Sequence, residues 1–348
     1  MELPADLLDR PAGEAVRRIA LALLARAESA AVRLADPEAL DPEALHDFRV
    51  AVRRLRSCLR AYREPLAESV SKKPLARLRA LATATNPGRD AEVQLAWLAR
   101  ERPALRPHER AGYDWLAARI EKRQQEAYAI VREELLDGFA SLADRLRDRL
   151  AHYRVEIELD TEDARPQTFR SVLAPALAQH AAALAEDLAR VDSLADEKEA
   201  HAARLEAKRL RYLLEPLTPA LLPTARPALQ ELRALQDLLG ELNDAHLLAE
   251  AIGQATAEAA ADQARHLHDL ALAGATRELA TARRRTARTG LLTLATRLAT
   301  HRTALFARLD AGWLRGRKSQ QLVAEVERLT ATLVPGIPDA TRDGLKPA

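Results

Sequence analysis

The chain has 348 residues, 48% of them hydrophobic and 3% aromatic, with 53 basic and 51 acidic side chains. This length supplies core for two units of ordinary size, and the lack of aromatic and β-branched runs favours a nearly all-α protein. A net charge of +2 excludes a uniformly cationic binder, so a basic patch would be a local feature. The single cysteine, Cys58, has no internal disulfide partner, and we expect it to be buried.

The sequence carries no membrane signal. A run of about 18 apolar residues is absent, and the first residues lack the basic and apolar regions of a signal peptide. We therefore expect a cytoplasmic protein without a membrane partner.

Apolar periodicity and Pro-marked breaks predict two helical halves. Helices of the first half fall near 12–35, 42–64, 71–85, 88–101, 106–136 and 138–150. Residues 153–166 form the predicted linker, in which Val155-Glu-Ile-Glu-Leu159 alternates like a short strand. Helices of the second half fall near 167–191, 196–215, 225–239, 242–272, 274–289 and 290–312. A tail at 313–348 follows, with one further helix allowed at 321–333 and a frayed end expected.

The helix predicted at 42–64 carries basic side chains on one face. At 100° per residue they fall within a sector of about 100°. We call this set the first basic row, which consists of His46, Arg49, Arg53, Arg56, Arg60 and Arg63. An apolar stripe adjoins the row and would dock the helix on a core. That stripe consists of Phe48, Val52, Leu55 and Leu59.

A solvated helix face, laced with carboxylates, is the ordinary explanation of such a row. It fits poorly here, because the stretch from His46 to Arg63 holds six arginines and one acid, Asp47, which points away from the row. Like charges three and four residues apart repel by a few tenths of a kcal/mol per pair. Since the guanidinium fork binds phosphate oxygens in pairs, the row predicts a phosphorylated partner.

The same spacing returns in the second half of the chain. His46-Asp-Phe-Arg49-Val-Ala-Val-Arg53-Arg54-Leu-Arg56 is matched by His201-Ala-Ala-Arg204-Leu-Glu-Ala-Lys208-Arg209-Leu-Arg211. Further along, Leu75-Ala-Arg-Leu-Arg-Ala-Leu81 is matched by Leu229-Gln-Glu-Leu-Arg-Ala-Leu235, and Asp90 by Asp244. We call His201, Arg204, Lys208 and Arg211 the second basic row. The chain is therefore predicted to be an internal duplication whose two rows face each other across a groove.

These motifs closely resemble the CHAD domain, the conserved histidine α-helical domain, over about residues 10–312. The resemblance implies two antiparallel helical bundles related by a pseudo-twofold axis, with a basic groove or pore between them. The halves would be 10–152 and 167–312. It also implies binding of inorganic polyphosphate and association with polyphosphate granules. Some family members are fused to a CYTH domain, a triphosphate tunnel hydrolase, whereas this chain would be a stand-alone CHAD protein.

The resemblance also assigns residues to the site. The anion ligands would be His46, Arg49, Arg53, Arg56, His201, Arg204, Lys208 and Arg211. Second-rank ligands are Arg60, Arg63, Lys72, Lys73, Arg79 and Arg233. Arg54 and Arg209 point away from the rows and are expected to form structural salt bridges. Asp90 and Asp244 are expected either to orient row arginines or to cap the helices that follow them.

An isolated histidine on a helix is usually packed or solvated, but the recurrence of His46 as His201 favours a role in binding. An imidazolium donates two hydrogen bonds and a neutral imidazole one, so we expect binding to strengthen below about pH 6.5.

Catalytic motifs are missing, so we expect no enzyme, no cofactor and no metal site. His266 and His268 lie two residues apart and cannot share an ion on a helix. Glu156 and Glu158 resemble the metal strand of CYTH hydrolases only superficially. Polyphosphate-metabolising enzymes are further candidate partners.

Two alternatives to polyphosphate remain. The rows would also suit single-stranded nucleic acid, which is less favoured because only Tyr62 and Tyr212 lie near them to stack bases. The groove would equally suit an acidic segment of another protein, with the chain acting as a scaffold.

Overall fold

A computed structural model describes residues 3–35, 42–67, 70–131, 136–151, 167–217, 222–283 and 286–334. In the first half the helices are α1 (Ala12–Ala35), α2 (Pro42–Ala61), α3 (Lys72–Ala84), α4 (Asn86–Glu101), α5 (Arg110–Ile130) and α6 (Leu136–Ala151). In the second half they are α7 (Phe169–Ala189), α8 (Glu197–Leu214), α9 (Arg226–Leu272), α10 (Thr276–Ala282), α11 (Arg288–Leu309) and α12 (Lys318–Leu333). No strand occurs in these ranges, and the predicted all-α class is confirmed.

The largest departure from the predicted elements is α9. Two helices were expected at 225–239 and 242–272, and this prediction is wrong because α9 runs unbroken through Gly240. A glycine inside a helix costs only about 1 kcal/mol relative to alanine. In the first half, Pro87 lies close to the equivalent position, and the chain forms two helices instead of one. α3 ends just before Thr85 and α4 begins just after it. A helix break in one half thus corresponds to a continuous helix in the other.

Smaller differences occur at helix ends. α5 starts at Arg110 rather than 106, because the Arg106 amide donates to the Glu109 carboxylate (2.7 Å) in a turn. α10 is shorter than the predicted 274–289 and follows Gly274, whose φ of 64° suits glycine. The linker at 153–166 and the chain end beyond 334 lie outside the described residues, and so do Glu156 and Glu158.

The two halves pack their helices in the same order. α1 contacts α2 and α6, while α7 contacts α8 and α12. α2 contacts α3 as α8 contacts α9, and α4 contacts α5 as α9 contacts α11. This order is what the predicted duplication requires, and the duplication itself stays a prediction. Because α12 packs on α7 and α9, residues 318–333 belong to the core.

Direct contacts join the halves. The Ala12 amide donates to the Gln167 carbonyl (2.8 Å) and the Phe169 amide to the Arg10 carbonyl (2.8 Å), so α1 and α7 start side by side. α5 crosses α11 at Gly112 and Gly290, where an added Cβ would overlap backbone of the other helix. Buried side chains of both halves form one continuous core.

The apolar stripes pack the helices of both basic rows onto this core. All four stripe residues of α2 are fully buried, and so are their counterparts in α8, which are Ala203, Ala207, Leu210 and Leu214. Phe48 packs edge-on against Phe139, with ring centroids 4.9 Å apart. The predicted burial of Cys58 is confirmed, and burial raises the pKa of its thiol to about 12.

Among the described helices, none has the length and apolar character needed to cross a bilayer.

Candidate functional site

The two basic rows meet where α2 packs on α8. Arg53 of α2 lies within electrostatic range of Arg204 and Lys208 of α8, and Arg211 lies near Lys208. We call Arg53, Arg204, Lys208 and Arg211 the cationic cluster. Four basic side chains from two helices of different halves therefore converge.

Lys208 shows most clearly how little negative charge this cluster contains. Its side chain is half-buried, and burial is the largest cause that lowers the pKa of its amine. The positive charges of Arg204, Arg53 and Arg211 add to this effect and only Asp244 opposes it among the principal causes, so that the pKa falls to about 7. A bound anion would relieve both effects, because it would replace lost water and neutralise the neighbouring charges.

Arg204 occupies the centre of the cluster. Burial lowers the pKa of its guanidinium, Asp244 acts against this, and Arg53 adds repulsion. Its Nε atom is buried and has no hydrogen-bond partner among the described residues. The neighbouring stretch of α9 contains Gly240, where an added Cβ would approach this Nε to 3.9 Å. A buried donor without an acceptor destabilises the protein. A ligand oxygen that accepts a hydrogen bond from this Nε would remove that cost.

On α2, by contrast, Arg49 and Arg53 already have partners. Arg49 is only 5% exposed, and its guanidinium donates to the carbonyl of Thr85, the residue between α3 and α4. Arg53 donates to the Asn86 side-chain carbonyl at 2.8 Å. Burial, with repulsion from Arg53, lowers the pKa of Arg49 to about 10. The Arg49 hydrogen bond thus links α2 to the junction between α3 and α4, and Arg53 remains part of the cationic cluster.

The carboxylates of Asp90 and Asp244 lie beside the cluster. Burial raises the pKa of Asp90, and the charge of Asp244 raises it further, whereas Arg49, Arg53 and Arg204 lower it. The suggestion that the two aspartates cap helices is wrong, because Asp244 lies in the middle of α9 and Asp90 lies beyond the first turn of α4. The negative charges of Asp90 and Asp244 attract the nearby guanidinium groups of the row arginines. Orienting these arginines was the other predicted role.

Glu215 lies at the end of α8 and pairs with cations of three elements. Its carboxylate lies 2.8 Å from Arg54 of α2, 3.6 Å from Arg233 of α9 and 4.0 Å from Arg211 of α8. The Arg54 pair confirms the structural salt bridge predicted for that residue. The bridge predicted for Arg209 is also confirmed, with Glu206 as its partner.

A further group of arginines extends the site along α2. Burial lowers the pKa of Arg56, and the charges of Arg60, Arg53, Arg79 and Arg209 lower it further. Arg60 and Arg79 are exposed, so their guanidinium groups are accessible to a ligand. α2 contacts α3, and this contact brings Arg79 to the first basic row.

The remaining predicted ligands lie at the margins of the site. His46 and His201 are exposed at the N-terminal ends of their rows, and the His201 Nδ1 atom lies 3.2 Å from the Asn243 side-chain oxygen. Arg233 is exposed and pairs with Glu215. Three second-rank residues are exposed at the surface, namely Arg63, Lys72 and Lys73.

The aromatic residues near the rows do not form a stacking surface. Tyr62 is 3% exposed and packs against Phe169, with ring centroids 5.3 Å apart. The Tyr212 ring lies under the Arg211 guanidinium, 5.3 Å from its centroid. Burial leaves Tyr62 without a free face, and Arg211 covers one face of Tyr212, in contrast to the open aromatic platforms of single-strand binders.

Sequence reasoning missed Glu215 and Thr85. The Thr85 contact uses a backbone carbonyl, which no side-chain pattern reveals. A signal for Glu215 was present, because Glu215 takes the position in the second motif that Arg60 takes in the first. Such a charge reversal inside a repeat indicates a function specific to one half.

Comparisons with known proteins agree with this architecture. The model of the CHAD domain family matches residues 18–253. No curated protein matches the chain. The crystal structure of the CHAD domain from the plant Ricinus communis superposes with a TM-score of 0.55 at 21% identity, covering 94% of each chain. PptA from Streptomyces chartreusis superposes with a TM-score of 0.55 at 16% identity, covering 90% of this chain and 99% of that one.

The fold defines an all-α class of protein with paired basic helices. Because the family model matches more than half of the chain, the protein belongs to the CHAD domain family.

Proposed function

We propose that this protein binds inorganic polyphosphate at the cationic cluster and along the adjoining arginines of α2 and α3. The observation that carries the proposal is the convergence of Arg53, Arg204 and Lys208, whose mutual repulsion and burial make the empty site costly. Family membership supports the same class of ligand. Arginine forks hold phosphate oxygens in pairs, and counterion release along a polyanion adds affinity.

A polymer fits the site better than a single phosphate. Arg204, Lys208 and Arg211 span about 10 Å of helix at 1.5 Å per residue. Arg53, Arg56 and Arg60 extend the positive surface along α2 in the other half. One phosphate group reaches only a few of these side chains, whereas a flexible chain of phosphates neutralises all of them in turn.

We further propose binding without hydrolysis. Asp90 and Asp244, the acids beside the cluster, have Arg49, Arg53 and Arg204 as close positive neighbours. These charges oppose the entry of a divalent cation, which a phosphate-cleaving site requires between its carboxylates and the substrate. The protein would then hold the polymer in the cytoplasm, associate with polyphosphate granules, and present the polymer to enzymes that make or consume it.

Titration tests the proposal. The full chain is titrated with long-chain polyphosphate and with a DNA oligonucleotide of equal total charge, at low salt and at near-physiological salt. We expect polyphosphate binding to persist at the higher salt while DNA binding is lost. Equal affinities for the two polymers would favour a nucleic-acid function, and absence of both would favour an acidic protein partner.

A further inference from the structure

Glu215 forms ion pairs with three cations at the edge of the site. Its carboxylate pairs with Arg54 (2.8 Å), Arg233 (3.6 Å) and Arg211 (4.0 Å), which belong to three separate helices. Arg211 is part of the cationic cluster, so Glu215 supplies negative charge at the end of the second basic row.

The pairs are partly buried, which strengthens them. The Glu215 side chain is 17% exposed and that of Arg211 is 19% exposed, whereas Arg233 is 54% exposed. Ion pairs shielded from water interact more strongly than fully exposed surface pairs. The Glu215 carboxylate therefore offsets the charge of both arginines, and an anion that approaches Arg233 meets the like charge of Glu215.

The duplication gives a second, independent reason to assign a role to this residue. The equivalent position in the first motif is Arg60, an exposed cation that continues the first basic row. The second row thus ends in an acid where the first row continues with a base. Two otherwise similar rows differ by two units of charge at this one position.

We propose that Glu215 is a specificity-determining residue that competes with the polymer for Arg211 and Arg233. This inference rests on the proposed function. The bound polyphosphate then runs from the second basic row across Arg53 to Arg56, Arg60 and Arg79. Glu215 keeps the polymer from Arg233. Glu215 sets the direction of the chain and reduces the number of phosphates neutralised.

A double-mutant cycle tests this. Glu215→Gln keeps the size of the side chain and removes its charge. We expect it to bind long-chain polyphosphate at least threefold more tightly. Its salt dependence should be steeper by about 0.7 for each additional phosphate that the protein neutralises. Arg233→Ala should change the affinity of the wild-type chain less than twofold, and in the Glu215→Gln background it should abolish the increase in affinity.

The matched control is Glu231→Gln, because Glu231 lies on the same helix as Arg233 and pairs with Lys318 of α12 at 3.5 Å. It removes the same charge and should leave the salt dependence unchanged. If Glu215→Gln loosens the fold, Glu215→Asp provides a second variant. It keeps the charge, so competition by charge predicts affinity close to wild type.

Three results would overturn the inference. The first is a Glu215→Gln variant that binds polyphosphate no more tightly than wild type while its thermal unfolding is unchanged. The second is an equal effect of Arg233→Ala in both backgrounds, which would show that the polymer already contacts Arg233 in the wild-type chain. The third is a lack of polyphosphate binding by both wild type and Glu215→Gln, in which case the proposed function fails as well. Binding by Glu215→Gln alone would support competition and contradict the proposed function of the natural chain.

Discussion

The first and second basic rows share one sequence motif and have different surroundings. On α2, Arg49 donates to the Thr85 carbonyl and Arg53 to Asn86, because the chain breaks between α3 and α4. On α8 the neighbouring α9 is continuous, so its backbone carbonyls at this level are used within the helix. Arg204 keeps a buried Nε without an acceptor among the described residues, and Lys208 lies among cations.

The comparison shows that the two copies of one motif can have different roles. The first row anchors α2 through Arg49 and supplies exposed arginines, while the second row supplies Arg204 and Lys208, the partly buried cations beside Arg53. Removing cations from the second row should therefore affect ligand binding, and removing Arg49 from the first row should affect stability.

The largest expected effect comes from removing the centre of the cluster. The triple variant Arg53→Ala, Arg204→Ala, Lys208→Ala should weaken polyphosphate binding by more than about 100-fold, since each charge-assisted contact contributes about 1.5–3 kcal/mol. Titration at near-physiological salt measures the loss. The control removes three exposed cations elsewhere, Lys122, Arg265 and Arg328, and should bind almost normally. Comparable losses in both triple variants would show that net charge alone binds the polymer.

A pair of single variants separates anchoring from binding. Arg49→Ala leaves the Thr85 carbonyl without its donor and should lower the free energy of unfolding by about 1–3 kcal/mol. Arg204→Ala removes a partly buried cation whose Nε has no hydrogen-bond partner among the described residues, and it should leave stability unchanged or increase it, while polyphosphate affinity falls. Urea unfolding and titration of both variants measure the contrast. A reversed pattern would contradict the division of roles between the rows.

The pH dependence should follow Lys208. Its folded-state pKa of about 7 lies below the ordinary value, so the free protein loses this charge as pH rises through about 7. A bound polyanion favours the charged amine, and affinity should therefore fall above pH 7, by at most about tenfold per pH unit, and level off below it. Lys208→Arg keeps its charge and should remove this dependence. Any strengthening below about pH 6.5 that persists in Lys208→Arg would report His46 and His201.

The smallest effect is expected at Tyr62. Its hydroxyl is buried and has no hydrogen-bond partner among the described residues. Tyr62→Phe should therefore change the free energy of unfolding by less than about 1 kcal/mol and leave both polyphosphate and DNA binding unaltered. A selective loss of DNA binding would show that the Tyr62 hydroxyl contacts nucleic acid and would favour the nucleic-acid alternative.

Helical periodicity predicted much of this molecule. It placed α1, α2 and α8 closely, and the four-residue apolar stripe of α2 is fully buried as expected. The repeated spacing of the rows predicted that Arg53 and Lys208 would share a site. These features follow from patterns that repeat within short stretches of the chain, and such patterns can be read from a single sequence.

Other features depend on tertiary contacts, which local sequence patterns do not reveal. The continuity of α9 through Gly240 depends on packing that outweighs a weak helix former. The burial of Arg49 depends on a backbone carbonyl between two other helices. The three cations around Glu215 come from α2, α8 and α9, so no short stretch of sequence indicates them.

The central claim is that the polymer binds where Lys208 lies, and amine labelling tests it directly. The full chain is treated with an amine-acylating reagent with and without long-chain polyphosphate, and modification is measured by peptide mass spectrometry. Lys208, with its lowered pKa, should react readily in the free protein and be strongly protected by polyphosphate, while the exposed Lys122 reacts equally in both samples. Unchanged labelling of Lys208 when polyphosphate is bound would contradict the claim.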